Sequence, residues 1–305
     1  MRSSKPNRPL LALAAAGAAV AAMATTRMVL RVGNPAVNAA GLGFGISLGP
    51  CLAAYAFAPM RRKQAARKLV LLTGGLTILA FSLLASANLD LEGFFLLLFE
   101  GVAGAAIGHT IVTLLIGPLF VGRFLCGWGC WRAMVLEWLP VRRESGRRNG
   151  LSRNLPLVGL LATVVAAAVG YFVLGHHAGG APNSPYKAET WSLLGGIAVY
   201  YATAIGLGMG LGDPRGFCKY LCPNAAILRL TSRLALLKIA AKRELCNGCG
   251  ACSKICPMDV DVRAFALSGR RVNSGDCILC QRCAHVCPTG ALSASFGLGR
   301  SKAAS

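Results

Sequence analysis

Long apolar stretches alternate with short polar ones along most of the chain, and the alternation stops at Arg215. Six stretches are long enough to cross a bilayer, whose hydrocarbon core takes about 20 residues of helix. They run Leu10 to Leu30, Ala36 to Ala58, Leu69 to Ala87, Phe94 to Gly122, Leu155 to Leu174 and Trp191 to Leu211. The second carries Gly41, Gly43, Gly45 and Gly49-Pro50, which suit a broken or re-entrant helix as readily as a straight one. Residues 1–26 also fit a signal peptide, with a basic start, an alanine-rich core and the small-residue triplet Ala22-Met23-Ala24. Past Arg215, Ile227, Leu230, Leu234 and Leu237 recur at helical spacing against Arg229, Arg233 and Lys238. That pattern predicts a basic amphipathic helix, lying on the membrane surface or packed on its own protein.

Composition agrees with a polytopic membrane protein. Hydrophobic residues make up 55% of the 305 and charged residues only 14%, against about 25% in soluble domains. The net charge of +21 does not point to nucleic acid, because Lys and Arg sit in short runs between the apolar stretches. Arg2, Lys5 and Arg8, the run RRKQAARK (Arg61 to Lys68) and VRRESGRRNGLSR (Val141 to Arg153) are basic; NLDLE (Asn88 to Glu92) and HHAGGAPNSPYKAE (His176 to Glu189) are not. The positive-inside rule then places both termini, and the cysteine-rich tail, in the cytoplasm. Only Arg27 and Arg31 run against it.

Eight of the thirteen cysteines fall in two copies of one pattern, shifted by 31 residues: CNGCGACSKICP from Cys246 and CILCQRCAHVCP from Cys277. Zinc ribbons use pairs of C-x2-C, whereas C-x2-C-x2-C-x3-C-P repeated twice suits two [4Fe-4S] cubes. In bacterial two-cluster ferredoxins the last cysteine of each run ligates the other cluster. On that pattern Cys246, Cys249, Cys252 and Cys287 hold one cluster, and Cys277, Cys280, Cys283 and Cys256 the second. His285, inside the second run, reads as a surface residue.

A second repeat sets RFLCGWGCW (Arg123 to Trp131) against RGFCKYLCP (Arg215 to Pro223), each at the end of a predicted helix. Cys126 and Cys130, like Cys218 and Cys222, are four apart and share a face if the backbone there is helical. The four thiols would meet to hold a metal or cluster, or each pair would do redox chemistry alone; buried, unreactive thiols are the plainer alternative. Cys51 reads as core.

These parts in this order resemble the NapH family, the membrane-bound ferredoxin-type quinol dehydrogenase component associated with periplasmic nitrate reductase. MauN of methylamine utilisation and the C-terminal membrane region of the nitrous oxide reductase regulator NosR share them. The resemblance covers roughly residues 90–290, with Trp131 standing where the family motif has proline. It implies an α-helical polytopic protein of about six transmembrane helices in the bacterial inner membrane, with a cytoplasmic α+β ferredoxin-like domain. It implies electron transfer from the quinol pool to a redox partner, a ferredoxin-type or cytochrome subunit. The alternative is an accessory donor that serves maturation of a metalloenzyme or amine dehydrogenase.

The corresponding divisions are an N-terminal helix or signal-anchor (1–35), a membrane domain (36–214), the second C-x3-C motif with the amphipathic helix (215–240), the ferredoxin-like domain (241–292) and a disordered tail (293–305). Quinol oxidation also releases protons, for which Glu100 and His109 in the fourth stretch are candidates. Nine residues apart, they face opposite sides of a straight helix. His176 and His177 read as an exposed loop or as metal or haem ligands at the outer face; without C-x-x-C-H there is no ordinary c-type haem site.

Overall fold

The computed structural model describes residues 51, 52, 54–84, 88–101, 105–141, 150–175 and 185–297. The first apolar stretch, most of the second, the signal-peptide reading, His176, His177 and residues 298–305 lie outside them.

Three described helices are long and apolar enough to cross a membrane: Lys63–Leu83, Ser152–Phe172 and Leu193–Gly210. They match the third, fifth and sixth stretches. The fourth differs from the expected single helix. Leu91–Glu100 ends at Gly101, whose left-handed backbone (φ 69°) returns its N–H to the Leu97 and Leu98 carbonyls. The chain is helical again from Ala105 and passes through a π-helical turn at Ile111–Ile116. Pro118 has no N–H to give the Leu114 carbonyl, and that oxygen accepts from Thr231 Oγ1 instead, at 3.1 Å. After Val121 the chain bends by 91° into Phe124–Leu136, so this pair counts as a fourth span only if read as one broken helix.

The two C-x3-C repeats organise matching units. In each, a long helix is followed by an inbound helix, the motif, and a short helix folded back along the first. Trp131–Leu136 runs back along Lys63–Leu84: a Cβ on Gly75 would press on Met134 and on the Trp131 Cα, while Lys68 Nζ reaches the Glu137 carbonyl at 2.7 Å. Pro223–Thr231 does the same along Gly150–Phe172, with Gly159 leaving room for the Leu221 carbonyl and Arg229 bonded to the Arg153 carbonyl.

The amphipathic helix stops earlier than its spacing suggests. After Thr231 comes one 3-10 turn, Ser232–Leu234, and then strand β1, Leu237–Ala241. Leu237, Ile239 and Ala241 are buried in alternation, a period of two that the helical spacing of Leu230, Leu234 and Leu237 masks. β1 pairs antiparallel with β2, Leu292–Phe296, in the register Leu237 to Phe296 and Ala241 to Leu292. The tail expected to be disordered from 293 is thus strand as far as Phe296. The pair ties together the two ends of the cysteine-rich unit, which starts at the strand rather than after it.

Candidate functional site: two cysteine-lined cavities and a four-thiol junction

Two cavities lie within the cysteine-rich unit. One is lined by Cys246, Cys249, Cys252 and Cys287; the other by Cys256, Cys277, Cys280 and Cys283. Each therefore takes three cysteines from one run and the last cysteine of the other. The backbone shapes both hollows alike. Gly248 and Gly250 adopt φ of 72° and 75°, and their repeat partners Leu279 and Gln281 adopt 52° and 58°. Each non-glycine left-handed residue costs about 1–3 kcal/mol and needs support. Trp128 Nε1 donates to the Leu279 carbonyl at 3.0 Å, and Gln281 Oε1 accepts from the Tyr55 hydroxyl at 3.4 Å.

The donor set fits a polynuclear iron-sulfur group. The four cysteines are the only Cys, His, Asp or Glu residues lining each hollow, and among the described residues no three of these types are gathered tightly enough for a single ion. A tetrahedral zinc needs all its sulfurs at about 2.3 Å from one point; a cube spreads them wider. At Cys287, burial raises the thiol, but the Thr289 hydroxyl and the N–H groups of Ala291, Thr289 and Gly290 outweigh it and bring the pKa below that of an ordinary thiol. Such bonds stabilise a thiolate and tune the potential of a bound cluster.

The two runs differ in exposure. The first faces out, with Cys249 exposed. The second is docked on the helical part at several points. Asp276, just before Cys277, accepts from Arg123 Nη1 (3.2 Å) and Arg229 Nε (2.7 Å). Arg282 bonds Glu137 at 2.9 Å. His285 is no surface residue: its Nδ1 meets Gln64 Nε2 at 2.7 Å and its Nε2 the Tyr55 hydroxyl at 3.2 Å. Burial, with Lys63 and Arg67 nearby, pushes its pKa down to about 4, so the ring is neutral. Gly127 makes a close approach, since a Cβ there would collide with the Ile278 carbonyl. Gly127→Val is therefore expected to lift the second run off the helices and free Trp128 from Leu279. An unchanged tryptophan emission maximum and unchanged protease resistance would contradict this.

The thiol pairs are not carried on continuous helices. Phe124–Trp128 ends at Gly129, and Cys130, in extended backbone, caps the next helix. Gly216–Tyr220 likewise ends at Leu221, and Cys222 precedes Pro223. Glycine and a missing proline N–H end the helices where uniform spacing suggests one face. The pairs still converge, because Cys130 lies within electrostatic reach of Cys126, Cys218 and Cys222. Arg215 Nη1 approaches Cys218 Sγ at 3.9 Å and bonds the Cys126 carbonyl at 2.9 Å; Arg123 bonds Cys126 in the same relation. Cys51 accepts from Thr73 Oγ1 at 3.6 Å and packs beside Tyr55 and Trp128.

Glu100 and His109 sit on separate helices, Leu91–Glu100 and Ala105–Thr110, so the straight-helix geometry does not apply. His109 faces Asp90, and Glu100 lies at the other end of its helix. The sequence reading passed over Glu137, which gathers Arg67, Arg215 and Arg282, and Asp90, placed there in a polar loop but buried on Arg132. A lone acid in the apolar run WRAMVLEWLP was the available signal for Glu137.

The 4Fe-4S dicluster domain profile matches residues 238–291. The chain is similar to the methylamine utilization ferredoxin-type protein MauN of Paracoccus denitrificans, 30% identical over 62% of this chain and 70% of the relative. MauN of Methylobacillus flagellatus is 29% identical over 67% and 74%, and the ferredoxin-type protein NapH of Escherichia coli 27% over 60% and 65%. No solved structure matches the chain.

Proposed function

From a chain that belongs to the family of ferredoxin-type proteins that includes MauN and NapH, we propose a membrane-anchored electron carrier that takes electrons from quinol and hands them to a partner redox protein. Cys246, Cys249, Cys252 and Cys287 would hold one [4Fe-4S] cluster, and Cys256, Cys277, Cys280 and Cys283 the other. Each cluster supplies one-electron chemistry at low potential when bound.

The observation that carries this reading is the asymmetry of docking. The second cavity abuts the C-x3-C motifs through Trp128, Gly127 and Arg123, whereas the first opens toward solvent at Cys249. On this reading electrons would run from the four-thiol junction to the inner site, then to the outer site, where a partner would collect them. The junction serves as a redox relay rather than a single-ion site. On this reading the spans lie in the inner membrane with the cysteine-rich unit on the cytoplasmic side, which the basic runs Arg61 to Lys68 and Val141 to Arg153 support.

The test is anaerobic mixing of the iron-loaded protein with a quinol analogue, followed by low-temperature EPR. Reduced-cluster signals support the reading; clusters that stay oxidised with quinol yet accept electrons from dithionite sink it. Similarity to MauN favours a second reading, an accessory donor for maturing a partner enzyme. A deletion strain that loads its partner fully with cofactor would exclude that one.

A further inference from the structure

A separate polar centre lies beside the four-thiol junction. The half-helix Leu91–Glu100 starts midway along Gly150–Phe172, where Phe94 and Phe95 pack near Leu160, and ends beside Tyr171 and Phe172 at 6.0 and 5.6 Å. Its first turn thus carries Asp90 and Glu92 into the interior. Arg132, two residues beyond Cys130, reaches back to Asp90 Oδ1 at 2.7 Å. Its guanidinium lies over Tyr200 at 3.8 Å and over Trp131 at 4.8 Å.

Two polar atoms here lack partners. The Tyr200 hydroxyl is turned toward Glu92, Asp90 and Arg132 but closes no bond of ordinary geometry, although Tyr200 is only 7% exposed. Arg132 Nε is buried and unbonded as well. Each such atom costs about 1–3 kcal/mol, and a polar guest would satisfy both. Glu92 is only partly covered and forms the open side.

We infer that this polar centre opens on the Glu92 side to receive the head group of a membrane quinol, with Glu92 accepting its protons and Tyr200 and Arg132 bonding its oxygens. The inference rests on the quinol-donor reading above. Oxidation of one quinol to quinone breaks two O–H bonds and releases two electrons and two protons. The two electrons leave one at a time past Cys130 and Cys222, both within electrostatic reach of Arg132, and each of the two clusters would be reduced by one of them. The protons pass to Glu92 in succession, and Glu92 discharges between the two steps.

The groups facing Glu92 are Asp90, Tyr200 and Arg132. Tyr201 faces Asp90, Arg132 and Cys130, and His109 faces Asp90 from Ala105–Thr110. Because Asp90 is already engaged by Arg132, Glu92 is the acid left to take a proton.

Glu92→Gln and Tyr200→Phe test this in the iron-loaded protein. On quinol addition, the wild type is expected to show a protonated-carboxyl band in its infrared difference spectrum, absent from Glu92→Gln. Quinol-driven cluster reduction should fall on the order of 10²-fold in that variant and lose its dependence on pH, while dithionite reduces the clusters as before. Tyr200→Phe should weaken quinol binding and keep the band. A Glu92→Gln protein with the wild-type rate, pH profile and band overturns the inference while leaving the donor reading intact. A wild type inert to quinol fails the donor reading itself.

Discussion

Replacing Glu137 with alanine is expected to release the cysteine-rich unit from the helices. The carboxylate, its side chain only 3% exposed, holds Arg67 at 2.8 Å, Arg215 at 2.5 Å and Arg282 at 2.9 Å. These come from the first long helix, the second C-x3-C motif and the second cysteine run, so one side chain joins three elements far apart in sequence. Removing it leaves buried guanidinium groups without a counter-charge, a loss of about 3–5 kcal/mol for a broken buried pair. Burial raises the Glu137 pKa, but Arg215, Arg67 and Arg282 outweigh it and hold the carboxyl far below the usual carboxylate range. A folded value below the unfolded one means the stabilisation is complete above about pH 4.3 and is lost only as pH falls further. Limited proteolysis between Thr231 and Leu237 reads the outcome directly. Cleavage should appear in Glu137→Ala at neutral pH and not in the wild type at about pH 5; equal resistance in the two proteins would remove Glu137 from this role.

How far the sequence reached depended on the range of the forces involved. The repeated cysteine runs were legible because a cluster demands many ligands of one type at fixed short spacing, and the three long helices because the bilayer demands length and apolarity. The fourth stretch misled because hydropathy does not register where Gly101 and Gly122 end a helix; composition stays apolar through the bend. β1 was read as helix because Leu230, Leu234 and Leu237 satisfy a period of 3.6 while Leu237, Ile239 and Ala241 satisfy a period of two, and only pairing with β2 decides between them. The Glu137 and Asp276 contacts join residues tens to more than a hundred positions apart, a relation no local pattern contains. His285 looked exposed for the same reason, since its partners Gln64 and Tyr55 lie more than 200 residues upstream.

Changing Cys287 to alanine is expected to abolish the cluster of the first run while sparing that of the second, although Cys287 belongs to the second run by sequence. Its side chain lines the cavity of Cys246, Cys249 and Cys252. Cys256→Ala should do the reverse, because it lines the cavity of Cys277, Cys280 and Cys283. Each variant should retain roughly four of about eight irons, so iron content alone does not tell them apart; function does. Without Cys256 the inner site is lost, and the remaining cluster, whose cavity opens toward solvent at Cys249, should accept electrons from dithionite but no longer from quinol. Without Cys287 the inner site survives and should still be reduced by quinol, while transfer to a soluble acceptor fails for want of the outer one. Identical behaviour of the two variants toward quinol would reject the inner-to-outer order, and the reverse outcome, with Cys287→Ala inert to quinol and Cys256→Ala reduced by it, would reject the crossed arrangement.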